Sequence, residues 1–210
     1  MPSESPIHRD LPAFSKHRLE ALTDGIFAVA MTLLVIELKV PDRSAVQVPG
    51  DLAIGVVRLV PVFVAWTISF FVLGIFWFGQ HRLFHVVRVV DGKLTWLTIV
   101  YLSLVSLMPF SSALAGQYAP ILFAQAFYSA NMLLLSTMSL LLSRYVYHHP
   151  ALCAEPLPPR FYRAARARSL GLALVALSAV AIAVVMPGFG NVAFMLMWPI
   201  SMASRRIERG

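Results

Sequence analysis

The sequence predicts an all-α, polytopic membrane protein with six transmembrane helices, and three observations carry that reading. Of 210 residues, 59% are hydrophobic and 13% charged, where a soluble domain has about 45–50% and about 25%. Mean hydropathy is +0.75, so the exterior as well as the interior is apolar. The charged residues bound long uncharged runs, each close to the roughly 20 residues that cross about 30 Å of hydrocarbon. This composition excludes a disordered tail, a disulfide-stapled secreted module and a soluble enzyme.

The elements follow in order. Residues 1–17 are polar, carry Pro2, Pro6 and Pro12, and hold no apolar core of signal-peptide type. They read as a cytoplasmic N-terminal tail. The first span runs from Arg18 to Val40, uncharged from Gly25 to Ile36 between Asp24 and Glu37, and stops at Pro41. An external loop covers Pro41 to Asp51. The second span is Leu59 to Gln80. The uncharged run Leu94 to Ser143 is too long for one helix and too short for three. Ser111, Ser112, Gly116, Gln117 and Pro120 supply turn chemistry that divides it, giving a third span Leu94–Pro109 and a fourth Ile121–Ser143. His148 to Arg168 reads as a cytoplasmic connector entering a helix. The last run, Ser169 to Ser204, breaks at Pro187–Asn191 into a fifth span and a shorter sixth containing Pro199. Residues 18–204 thus form one membrane domain, and 205–210 a cytoplasmic tail.

Charge sets the orientation. Fourteen of the 17 Lys and Arg fall in segments on one side, leaving Lys39, Arg43 and Arg58 on the other. Basic residues mark the cytoplasmic side, so both termini are cytoplasmic and the expected location is the cell (inner) membrane. The same placement removes nucleic acid as a partner, because the basic residues sit at span ends and are not interleaved with exposed aromatics. The lone Cys153 has no internal disulfide partner and reads as an inert thiol.

No hydrolase, zinc-protease, phosphate-loop or redox motif is present, so no enzyme and no cofactor are expected. His81 and His85 share a helix face, but two histidines without a carboxylate fall short of a metal site. An ionisable residue at membrane depth is a functional candidate. Glu37 next to Lys39 reads as interfacial, whereas Asp24 lies deeper. At about 100° per residue, Leu22, Gly25, Val29, Leu33, Ile36 and Val40 form one stripe bordered by Thr32, with Thr23 and Asp24 off it. Such a stripe suits packing, lipid contact or a pore.

The string Arg18, Leu22, Thr23, Asp24, followed by Gly25 through Leu34, resembles the signature helix of the transmembrane protein 175 family of potassium channels. Ser69–Phe71, Phe76–Phe84 and Ser106–Phe110 are similar to that family's next segments. The resemblance covers the first half of the chain; later helices match in number and length. It implies a homotetramer of six-helix subunits in the lipid bilayer, with the first helices around a pore on the central symmetry axis and K⁺ as the permeant ion. It implies apolar constriction rings at Val29, Leu33 and Ile36, with Thr32 beside the first. It also implies a structural polar network of Arg18, Thr23, Asp24, Trp77 and His81. The chain departs from the family pattern in having Leu22 for Phe, Thr23 for Ser, and Val29 at a ring where a bulkier aliphatic is common.

No Thr-Val-Gly-Tyr-Gly carbonyl filter occurs, so the expected function is a leak-type, potassium-preferring cation channel that selects at a hydrophobic constriction. The alternative is a proton-coupled small-solute transporter using Asp24 and Glu37, against which stand the missing internal repeat and the absence of paired broken helices. A structural membrane protein without transport is the third reading.

Overall fold

The computed structural model describes residues 15–41, 43, 48–187 and 190–196. Its helices are α1 (Lys16–Ile36), α2 (Pro49–Arg58), α3 (Val60–Val86), α4 (Gly92–Ser106), α5 (Met108–Gln117), α6 (Leu122–His148) and α7 (Pro159–Val185), with 3-10 turns at Pro150–Leu152 and Gly190–Leu196. Among the described residues five stretches are long and apolar enough to cross a bilayer: α1, α3, Gly92–Gln117, α6 and α7. This is a multi-pass membrane protein. Most of the expected sixth span, including Pro199, lies outside the described residues, as do most of the N-terminal tail and all of residues 205–210.

The helix starts follow local chemistry. One proline stands at the first or second position of each of α2, α3, α5 and α7, where its fixed φ suits a helix and its missing N–H is no loss. Asp91 caps α4 by accepting from the Leu94 amide at 2.7 Å, and it also accepts from the Tyr145 hydroxyl of α6.

The structure corrects the expected third span. Ser111, Ser112, Gly116 and Gln117 are helical, and the turn falls at Tyr118–Ile121. The helix hesitates at Leu107 and resumes at once, with Leu107 N–H donating to Ser103 and Ser111 N–H to Leu107. Pro109 starts a new helical turn here and does not end the span. Ser111 and Ser112 point inward: both are buried, and Ser112 Oγ lies 2.8 Å from Ser69 Oγ, which in turn is 2.9 Å from Tyr128 Oη. Serines that read as turn residues are hydrogen bonds between helices, which bilayer proteins use where water exclusion no longer discriminates between helix and lipid. A helix not expected from the sequence, α2, begins at Pro49 within the expected loop Pro41–Asp51 and continues past it to Arg58.

The core is a set of close helix crossings. α7 presents Ala164, Ala165, Ala176, Ala179 and Ala183 and α6 presents Ser129, Ser136, Ser139 and Ser143 as buried small residues, and the two helices pack along their length. α1 lies against α3, α4 and α5, burying Leu19, Thr23, Phe27, Ala30 and Leu34. The chain from His149 to Pro158 is strapped to the end of α3: Arg88 and Val89 N–H donate to Leu152 O, and Ala154 N–H donates to Val86 O. Those contacts place the end of α3, the start of α4, the end of α6 and the start of α7 at one end of the bundle.

Candidate functional site: the first helix and its two cavities

α1 divides lengthwise. One face is buried in the bundle, with Phe27 1% and Leu34 1% exposed and the Phe27 ring 6.0 Å from that of Tyr101. Roughly a third of a turn away at about 100° per residue, Val29, Leu33 and Ile36 are 57%, 42% and 63% exposed. Leu22, Gly25, Val29 and Leu33 line an apolar groove of about 360 Å³ bounded by Ser106 of α4. The chain's own bundle therefore leaves this aliphatic stripe uncovered. Thr32 is exposed beside it, its hydroxyl donating to the Ala28 or Val29 carbonyl at 3.0 and 2.9 Å. That donation uses the proton and leaves the oxygen lone pairs outward.

Asp24 faces a different neighbour. Trp77 Nε1 donates to Asp24 Oδ1 at 2.8 Å, and the Trp77 ring stacks on His81 at 5.7 Å. A helical residue and the one four positions on share a face, so Trp77 and His81 meet α1 together. Thr23, also expected in this network, is buried and donates to the Leu19 carbonyl at 2.8 Å. Arg18 is exposed, and its side chain has no partner among the described residues. The structure thus brings Asp24, Trp77 and His81 together within one chain and leaves Arg18 apart from them.

Asp24, His81, His17, Glu20 and Gln80 line a cavity of about 290 Å³. Glu20 lies 3.6 Å from Lys16 and 3.9 Å from His17. Gln80 was not singled out from sequence. It is 2% exposed, and its Nε2 has no partner among the described residues. Its signal was available, since Trp77, Gln80, His81 and Phe84 follow the i, i+3, i+4, i+7 spacing of one helix face. At the opposite end of α1, Gln117 Nε2 donates to Glu37 Oε2 at 3.3 Å, tying the end of α1 to the end of α5. No group of three His, Cys, Asp or Glu side chains converges among the described residues; His85 lies away from Asp24, beside Arg82 and Arg160.

Comparison with known proteins places this geometry. Residues 18–109, which hold α1, its stripe and the Trp77 contact, match the family model described as Endosomal/lysosomal potassium channel TMEM175. The fold superposes on the crystal structure of a lysosomal potassium-selective channel TMEM175 homolog from Chamaesiphon minutus with a TM-score of 0.75 and 25% identity, covering 90% of this chain and 97% of that one.

Residues 18–109 are similar to the TMEM175 family.

That is a family of ion channels and not of enzymes. A relative from Streptomyces collinus, named as a potassium channel, is 37% identical over 101 residues, 48% of each chain. A mouse relative, 33% identical over 129 residues, 55% of this chain and 26% of its own, is named as the endosomal/lysosomal proton channel TMEM175. The chain spans about half the length of the curated bacterial relative it matches, and residues 18–109, matched by the family model, contain both faces of α1.

A prediction concerns the Asp24 contact. Trp77→Phe keeps the ring and removes the donor. A hydrogen bond to a charged acceptor contributes about 1.5–3 kcal/mol, and both groups here are partly exposed, which reduces it to about 1 kcal/mol. The thermal midpoint and the yield of the assembled species on size-exclusion chromatography are expected to fall modestly. Trp77→Phe melting with the parent would show that the contact does not hold α1 in place.

Proposed function

We propose that this chain self-associates, fourfold about a central axis, into a potassium-preferring cation channel. α1 of each copy supplies the pore lining, and Val29, Leu33 and Ile36 form successive aliphatic collars with the Thr32 hydroxyl beside the first. The observation that carries this reading is the stripe itself. α1 is packed into its own bundle on one side, yet exposes aligned aliphatics on another, within the segment that matches a family model named for a potassium channel. The groove beside it, of about 360 Å³, is lined almost wholly by apolar side chains, and the neighbouring copy's first helix is its proposed occupant.

An aliphatic collar offers an ion no ligands. A cation crosses only by shedding or deforming its water shell, and the penalty for leaving charge unsolvated is large. That penalty is smaller for K⁺, which holds its water less tightly than Na⁺, and a narrow apolar neck also closes by dewetting. The small Val29 widens the first collar, so selectivity is modest and larger alkali ions pass. We place the protein in the cell membrane with both termini cytoplasmic, following the distribution of Lys and Arg.

The test is bi-ionic recording from purified protein in planar bilayers. A reversal potential favouring K⁺ is expected, and equal K⁺ and Na⁺ permeability refutes the proposal. The mouse relative's name makes H⁺ a second permeant to measure; in a pH gradient with symmetric K⁺, a reversal potential that follows pH would assign the current to protons. The transporter alternative is weakly supported. Asp24 and Glu37 are 13 residues apart on one helix, about 20 Å at 1.5 Å per residue, and each is engaged by a different neighbour. A proton relay between them would have to cross that uncharged length.

A further inference from the structure

α6 and α7 pack along their length, with the end of the first and the start of the second at the same end of the bundle. Their outer face carries a graded pattern. At the helix ends the Tyr147 and Tyr162 rings stack at 4.9 Å and 12°, and the His148 ring stands edge-on to both. Tyrosines at the ends of two spans mark the level of the headgroups. The stack also fixes which faces of the two helices meet there.

One turn further into the bilayer, that face carries a pair of guanidiniums. Arg144 precedes Tyr147 by three positions and Arg166 follows Tyr162 by four, spacings that keep residues on one helix face. At 1.5 Å per residue they lie about 4.5 and 6 Å deeper than the tyrosines. Both are exposed, and neither has a hydrogen bond, ion pair or ring contact among the described residues. Their own helices offer no counter-charge, since neither α6 nor α7 contains an Asp or Glu. Asp91, at the start of the adjacent α4, is occupied by the Leu94 amide and the Tyr145 hydroxyl.

Towards the midplane the same two faces continue in leucine. Leu141 and Leu134 lie three and ten positions before Arg144, and Leu170 and Leu174 four and eight after Arg166. They are 41%, 54%, 55% and 69% exposed. Stacked tyrosines, paired guanidiniums and leucines thus follow one another in the order of headgroup, phosphate and acyl chain.

A cation inside the interfacial aromatics is costly unless an anion meets it, and the long arginine stem lets the charge reach outward to one. We propose that this face binds an anionic phospholipid, Arg144 and Arg166 contacting its phosphate and the leucines its acyl chains. Guanidinium forks match phosphate oxygens in pairs, and basic sites between spans at the interface hold anionic headgroups. The leucines favour a lipid over a soluble phosphate, which has nothing to place against them. The two arginines serve the lipid whichever helix lines the pore.

The experiment follows the thermal midpoint of the full chain in neutral detergent, titrated with dioleoylphosphatidylglycerol, with dioleoylphosphatidylcholine and with glycerol phosphate. Phosphatidylglycerol is expected to raise the midpoint saturably, and the other two to leave it unchanged. Arg144→Gln and Arg166→Gln, both at exposed positions, are each expected to melt as the parent without lipid. Each should weaken the apparent affinity for phosphatidylglycerol about five-fold, the effect of about one basic residue at a membrane surface. Arg160→Gln removes the same charge from the same helix six positions earlier, about 120° round it, and should titrate as the parent. Equal shifts with both lipids, a shift with glycerol phosphate, or Arg144→Gln and Arg166→Gln titrating as the parent overturns the proposal. Arg160→Gln weakening the affinity as much as they do also overturns it, because surface charge alone would then account for binding. So does a changed elution volume of either variant without lipid, which would assign the face to a second copy of the chain.

Discussion

Leu33→Ala together with Ile36→Ala is expected to remove most of the K⁺ over Na⁺ preference and to raise the single-channel current. In a fourfold assembly two substitutions remove eight aliphatic side chains from the neck. A wider neck lets each cation keep more of its water, and the difference in dehydration cost between the two ions shrinks. A barrier difference of about 1.4 kcal/mol corresponds to a tenfold rate ratio, so loss of a discrimination of that size brings the permeability ratio to about one. Folding should be little affected, because both side chains are substantially exposed in the protomer. The neighbouring Leu34, 1% exposed, is the matched control. Leu34→Ala opens a cavity against the bundle, a change that costs about 2–5 kcal/mol in well-packed cores. It should lower the yield of folded channel while those that assemble retain the parent's ion preference. Bi-ionic reversal potentials measured on both variants decide the matter. An unchanged ratio in the double variant would mean that these collars do not line the path.

Gly116→Ala should be among the most damaging single-methyl additions in the chain. A Cβ built on Gly116 lies 2.9 Å from Val62 Cα and 3.3 Å from Ala65 Cβ. The first of these is backbone of α3, so relief requires α5 to move away from α3 and not a side chain to turn. That movement would stretch the Ser69 to Ser112 contact of 2.8 Å and the Ser112 bond to the Ala65 carbonyl. Overpacking of this kind costs about 1–3 kcal/mol, with the lost interhelical hydrogen bonds adding to it. A thermal midpoint well below that of the parent in detergent is expected. Gly92→Ala is the contrast, since a Cβ there meets nothing within 4 Å, and its midpoint should stay near the parent's. Equal melting of the two variants would mean that the α3–α5 approach is looser than the structure shows.

The site was legible to the degree that its residues share a helix face. Val29, Leu33 and Ile36 fell on one stripe by periodicity, and their exposure in the protomer leaves that stripe available. Trp77 and His81 fell on one face because they are four apart. Resemblance to a family supplied the idea that Asp24 belongs with them, and the 2.8 Å indole contact is the geometry that joins the two helices. Thr23 was assigned to the same network, but its hydroxyl bonds within its own helix. Adjacent residues on a helix point about 100° apart, so a linear motif does not guarantee a shared surface.

Amino-acid order alone determined the membrane character, the number of apolar runs along most of the chain and the faces of α1. Those features depend on hydropathy and on the helical period, both local. Tertiary packing decided three other things. Ser111 and Ser112 are interhelical hydrogen bonds and not a turn, because α3 and α6 bring partners to them. Gly116 is a point of contact because the backbone of α3 passes beside it. The outer face of α6 and α7 unites Arg144 with Arg166, 22 positions later in the sequence. Each depends on which helix lies next to which, and that follows from the summed fit of many side chains across the bilayer-spanning bundle.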